Sequence, residues 1–115
     1  MAAALAKFAK TPFSATFTAQ GGTVYPSSYT NAHGLENGWR ISGSSIMPPA
    51  GETRFRATVH PLTGSGKPTV SVRYPSGMKD SGRAVEHVEG AVNYFAPQIS
   101  TMAAGDTGLI IIEPI

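Results

Sequence analysis

The chain has 115 residues, 41% hydrophobic and 14% charged, which is enough apolar material for one modest core and well under the roughly 25% charge of an average soluble domain. With no cysteine, disulfides, thiolate metal sites and cysteine nucleophiles are excluded, while the redox compartment stays open. The net charge of +2 hides an asymmetry: residues 1–79 hold eight Lys/Arg against Glu36 and Glu52 (+6), and residues 80–115 hold Arg83 against Asp80, Glu86, Glu89, Asp106 and Glu113 (−4).

Met1 to Ala9 is alanine-rich but lacks the order of charged start, apolar core and cleavage site, so it reads as mature protein. The 13 glycines and 9 prolines are spread along the chain, which predicts many turns and short strands. Phe13 to Gln20 alternates Phe13, Ala15, Phe17 and Ala19 against Ser14, Thr16, Thr18 and Gln20, the pattern of a half-buried strand. After the Gly21-Gly22 turn, Thr23 to Thr30 is expected to return as a second strand broken at Pro26, as at a sheet edge. A polar connection ends in Asn37-Gly38, and Trp39 to Ser42 alternates again with Trp39 and Ile41 inward. Met47 to Gly51 reads as a loop. Thr53 to His60 then gives the cleanest strand, with Phe55, Ala57 and Val59 on one side and Arg54, Arg56, Thr58 and His60 on the other. TGSGKP (Thr63 to Pro68) is predicted to be a hairpin loop, returning through Thr69 to Tyr74 with Val70, Val72 and Tyr74 inward.

From Asp80 or Ser81, a candidate cap, the period changes. Ala84, Val85, Val88, Ala91, Val92 and Phe95 follow helical spacing, and Pro97 marks the end. Gly105 and Gly108 bracket a turn before LIIIEPI. The run Leu109 to Ile112 is far short of the ~20 residues that cross a bilayer, so a soluble protein is expected whose apolar tail packs on a sheet or a partner. The predicted fold class is therefore α+β in a single domain, 1–115. It comprises an antiparallel sheet of about five to six strands over 13–76, a helix over 80–97 and an apolar segment over 98–115.

Placed in one sheet, the polar faces of these strands collect Thr16, Thr18, Arg40, Ser42, Arg54, Arg56, Thr58, Ser71 and Arg73, with no acid among them. Arginine pairs bidentately with phosphate, and hydroxyls donate to phosphate or base edges, so the set has the chemistry of an RNA-facing sheet. Each arginine taken alone reads more simply as a solvated residue of a one-sided sheet. For the set, the absence of interleaved carboxylates brings the RNA reading level with that one. A helix of roughly 16 residues, about 24 Å long, cannot cover the apolar face of four or five strands. A two-fold partner is the simplest cover, and closure by the chain's own loops and tails is the alternative.

Other signals fail. Around Gly66-Lys67, Pro61 stands where a phosphate-binding loop needs Gly, and Pro68 where it needs Ser or Thr. His33, His60 and His87 lack metal-ligand spacing, so no metal or other cofactor is expected. No nucleophile elbow accompanies Asp80, Ser81 and His87, so an enzyme is not expected. Phe13, Phe17, Trp39, Phe55, Tyr74 and Phe95 all fall on inward faces and read as core.

The order of elements resembles the coat proteins of single-stranded RNA bacteriophages. The resemblance is carried by TRFRATVHP, TGSGKP and TVSVRYP, followed by SGRAVEHVEGAVNYF and GLIIIEPI. It implies an interlocked homodimer with one continuous sheet, each subunit's helix packed across the other, and assembly into an icosahedral shell around single-stranded RNA. It further implies synthesis in the bacterial cytoplasm and residence in the virion, with no membrane or small-molecule partner. Carried onto this chain, RNA contacts fall to Arg40, Arg54, Arg56, Thr58, Ser71 and Arg73, with Lys67 as a loop contact. A non-assembling dimeric RNA-binding regulator and a filament or adhesive β subunit remain the alternatives.

Overall fold

The computed structural model describes residues 12–49, 54–75, 79–87 and 94–114, the side chains at 79, 80 and 87 excepted. The alternation at the start builds β1 (Phe13–Thr18), which buries Phe13, Ala15 and Phe17 and turns Ser14, Thr16 and Thr18 outward. Next come β2 (Thr30–His33), β3 (Arg40–Ser42), β4 (Ser45–Met47), β5 (Phe55–Thr63) and β6 (Thr69–Arg73). The last strands are β7 (Lys79–Gly82), β8 (Ala84–His87), β9 (Ala96–Ser100) and β10 (Thr107–Pro114).

Two antiparallel layers result. Sheet I has the order β2-β1-β10-β5-β8. Its inner rows are set by register: Ile112 lies between Phe13 and Ala57, and Ile110 between Ala15 and Val59. Sheet II begins as β7-β6-β9 and continues into the β4-β3 ribbon, because Ile46 and Phe95 exchange backbone hydrogen bonds of 2.8 and 2.9 Å. Val24 and Ile99 make a second such bridge on the same edge of β9. Pro97 sits between these two bridges, where no N–H is asked of that edge, so a proline is tolerated inside the strand.

The core lies between the layers, with an aromatic cluster at its centre. Phe55 of sheet I stacks on Phe95 of sheet II with ring centroids 4.3 Å apart. Trp39 meets Phe95 edge-on at 6.5 Å and Phe13 at 5.8 Å, and all four rings are buried.

This all-β sandwich corrects the expected α+β class. Among the described residues, helical structure is limited to two 3-10 turns, Pro26–Ser28 and Leu35–Asn37. Of the predicted helix over 80–97, residues 80–82 belong to β7, 84–87 form β8 after a bend at Arg83, 96–97 begin β9, and Val88, Ala91 and Val92 lie outside the described residues. Over the described residues the helical spacing is outweighed by β-branched Val85, by Gly82, and by a true period of two in Phe95, Pro97 and Ile99, all three buried. The TGSGKP segment is not a hairpin loop either. β5 pairs with β10 and β8, β6 pairs with β7 and β9, and the loop crosses from one layer to the other. Thr23 to Thr30 contributes only the Val24 bridge and the first 3-10 turn before β2 begins at Thr30. The apolar end LIIIEP is the middle strand of sheet I. Because sheet II covers sheet I, the described residues leave no bare apolar face of the kind that called for a partner's helix.

Candidate nucleic-acid interface

The layer crossing between β5 and β6 divides the arginines expected on a single face. Arg56 and Thr58 lie on the outer face of sheet I, and Arg54 is exposed just before β5. Ser71 and Arg73 lie on the outer face of sheet II, and Lys67 stands in the crossing loop. Arg40 pairs across β3-β4 with Met47, on the side opposite the inward Ile41–Ile46 pair, so it also faces out from sheet II.

Sheet I does not keep its basic residues free of acid. Arg56 Nε and Nη2 donate to one oxygen of Glu86 at 3.0 and 2.8 Å, and Glu113 stands opposite Arg56 in the ladder. Hydroxyls on this face largely bond to protein: Thr16 to Thr30 at 2.8 Å, Thr63 to Thr107 at 2.6 Å, and Thr58 to the Ile111 carbonyl at 3.4 Å.

Sheet II's outer face differs. Among its described side chains are Thr69, Ser71, Arg73, Ser81, Gln98 and Ser100, then Ser45, Ser42 and Arg40, with no carboxylate. Ser81 donates to Ser71 at 3.1 Å, which places both on that face. Tyr94, immediately before inward Phe95, is 47% exposed, and the antiparallel Ile46–Phe95 bridge sets it toward Met47, the partner of Arg40. At roughly 4.8 Å between strands, Arg40 and Arg73 stand about 15 Å apart across this layer. Tyr94 escaped the sequence reading because the helical period hid the alternation with Phe95 that turns it outward.

A second basic feature joins Thr58 and Lys67 to two residues that the sequence reading left out of the site, His60 and Arg83. They line a cleft of about 370 Å³ between the outer end of β5, the crossing loop and the β7–β8 bend, and no carboxylate is among its described lining residues. Thr58 Oγ1 and His60 Nε2 lie 3.2 Å apart. The Arg83 carbonyl accepts the Val59 amide at 3.2 Å, and the Lys67 carbonyl accepts the Thr101 hydroxyl, so both cations extend from anchored backbone. The available signal was Arg83's place as the one base of the acidic C-terminal stretch.

Among the described residues, no three His, Asp or Glu side chains gather as metal ligands, and no helix is long and apolar enough to cross a membrane. Neither a protein-family model nor a curated protein matches this sequence.

Proposed function

We propose that the chain is a non-enzymatic structural protein that binds single-stranded RNA on the outer face of sheet II and self-associates into a shell around it. The observation that carries the RNA reading is a face that, among its described side chains, has no carboxylate and presents Arg40, Arg73 and an exposed Tyr94 among hydroxyls and an amide. Arginines neutralise phosphates, and a protruding ring gives an unpaired base a surface to stack on without reading its identity, which suits packaging of a long RNA. The assembly reading is supported by the low charge of 14% and by the exposed Tyr25, Leu35 and Leu62. A β-sandwich serves many functions, so the fold itself does not carry the proposal. As a coat subunit, the protein would be made in the bacterial cytoplasm and reside in the particle.

The test is electron microscopy of the protein expressed in bacteria, with 260/280 nm absorbance across the size-exclusion peak and oligouridine binding by anisotropy. RNA-filled particles are expected. Tyr94→Ala should weaken oligouridine binding by about 1–3 kcal/mol per stacked base, and Arg40→Gln with Arg73→Gln should flatten its salt dependence by about 1.4, twice the single-strand slope of ~0.7 per phosphate. A nucleic-acid-free protein whose oligouridine affinity ignores all three changes sinks the proposal. The mutual covering of the two sheets favours a second reading, an RNA-binding regulator that does not assemble, which would show the same mutational losses without particles.

A further inference from the structure

We infer that the cleft between the crossing loop and the β7–β8 bend is a phosphate-monoester site, separate from the outer face of sheet II and independent of shell formation. Its lining gathers Arg83, Lys67, Thr58 and His60 around one concavity, together with Val59, Pro61 and Pro68. Low-dielectric walls concentrate the field of such charges, and among the described residues no lining carboxylate opposes them. Asp106, which packs against Gly64 and Gly66 of the same loop, accepts the Ala103 amide at 3.2 Å and is not in the lining. Glu86, in the adjacent strand, is occupied by Arg56.

Charge balance selects the ligand class. Lys67 and Arg83 carry two fixed positive charges. A phosphate monoester carries about −1.5 to −2 at neutral pH and offers three terminal oxygens, whereas an internal phosphodiester carries −1 and offers two. Guanidinium and ammonium groups donate to such oxygens. The volume, about 370 Å³, is at the small end of the ~300–1,000 Å³ range of ligand pockets, enough for a phosphate and the sugar that carries it. The monoester could be the 5′ end of a polynucleotide or free phosphate, which share this chemistry.

The experiment is isothermal titration of the full chain at low ionic strength with inorganic phosphate, adenosine 5′-monophosphate, and 5′-phosphorylated and unphosphorylated triuridine. At least tenfold tighter binding of the 5′-phosphorylated than the unphosphorylated triuridine is expected. Lys67→Ala with Arg83→Gln should abolish that preference, and Arg40→Gln with Arg73→Gln, which weakens the outer face of sheet II, should not lower it. Nucleotide binding tighter than inorganic phosphate assigns the site to a polynucleotide end, and equal binding assigns it to free phosphate. Equal affinity for the two triuridines, or a preference that survives loss of both cations, overturns the inference. Should the double variant misfold, Lys67→Ala alone, on an exposed loop, must still lower the preference several-fold.

Discussion

Gly64 shows how one residue holds the crossing loop in shape. Its φ of +91° lies in the left-handed region, and a Cβ there would run into the Asp106 carboxylate. TGSGKP thus has glycine where a side chain would displace an acid, with no phosphate-binding loop implied. Gly64→Ala should cost about 2 kcal/mol, combining backbone strain with displacement of Asp106, seen as a lower urea midpoint with an unchanged slope. Tyr29 makes the opposite case. Its hydroxyl is buried with no hydrogen-bond partner among the described residues, and the ring packs near Phe13 and Phe17. Tyr29→Phe should stabilise the protein by about 1 kcal/mol, because a desolvated donor disappears. Burial also raises the Tyr29 pKa far above its ordinary value. The unfolded phenol ionises near pH 10 while the folded one stays neutral. Stability linked to Tyr29 is therefore full below pH ~10 and falls above it, by up to about 1.4 kcal/mol per pH unit. Denaturant titrations between pH 9 and 11 should show a shallower alkaline decline in Tyr29→Phe than in wild type.

At the level of strands, the cross-strand pair Arg56–Glu86 joins β5 to the edge strand β8, but the side chains are 40% and 50% exposed. Glu86→Ala should cost no more than about 0.5 kcal/mol at low salt and nothing measurable at high salt, by thermal unfolding at both ionic strengths. Period-two alternation made β1, the start of β5 and β6 legible in the sequence, because each buries one face and wets the other. The same signal failed at β8 and β9, where Val85 and Phe95, buried from strands of different layers, fell at positions that also fit a helical stripe. Sequence also could not reveal that TGSGKP changes layers: a hairpin loop and a crossing loop draw on the same glycines and prolines. That one connection decided the candidate site. It kept Thr58 and Lys67 near each other, separated Arg56 from Arg73, and left Arg40 and Arg73 on a face whose aromatic, Tyr94, was hidden by the mistaken helix.

Across the whole molecule, the two layers are joined through Phe55, Phe95, Trp39 and Phe13, so stability depends on a few rings. Phe95→Ala should cost about 3–5 kcal/mol, a large part of the ~5–15 kcal/mol of a typical domain, and guanidinium unfolding would read that loss directly. The place of β10 in sheet I bears on how the protein comes into being. Phe13 is opposite Ile112 and Ile112 is opposite Ala57, so β1 and β5, neither touching the other in the ladder, are joined only by a strand at the far end of the described chain. On the ribosome, β1 must wait until Thr107–Pro114 has been translated and has left the exit tunnel before it gains its main neighbour. Until then Phe13 and Phe17 lack their finished pocket, and sheet closure is a late, slow, long-range event. A chain built this way completes its five-stranded layer only after its synthesis has passed β10, which gives translation itself control over when the fold can close.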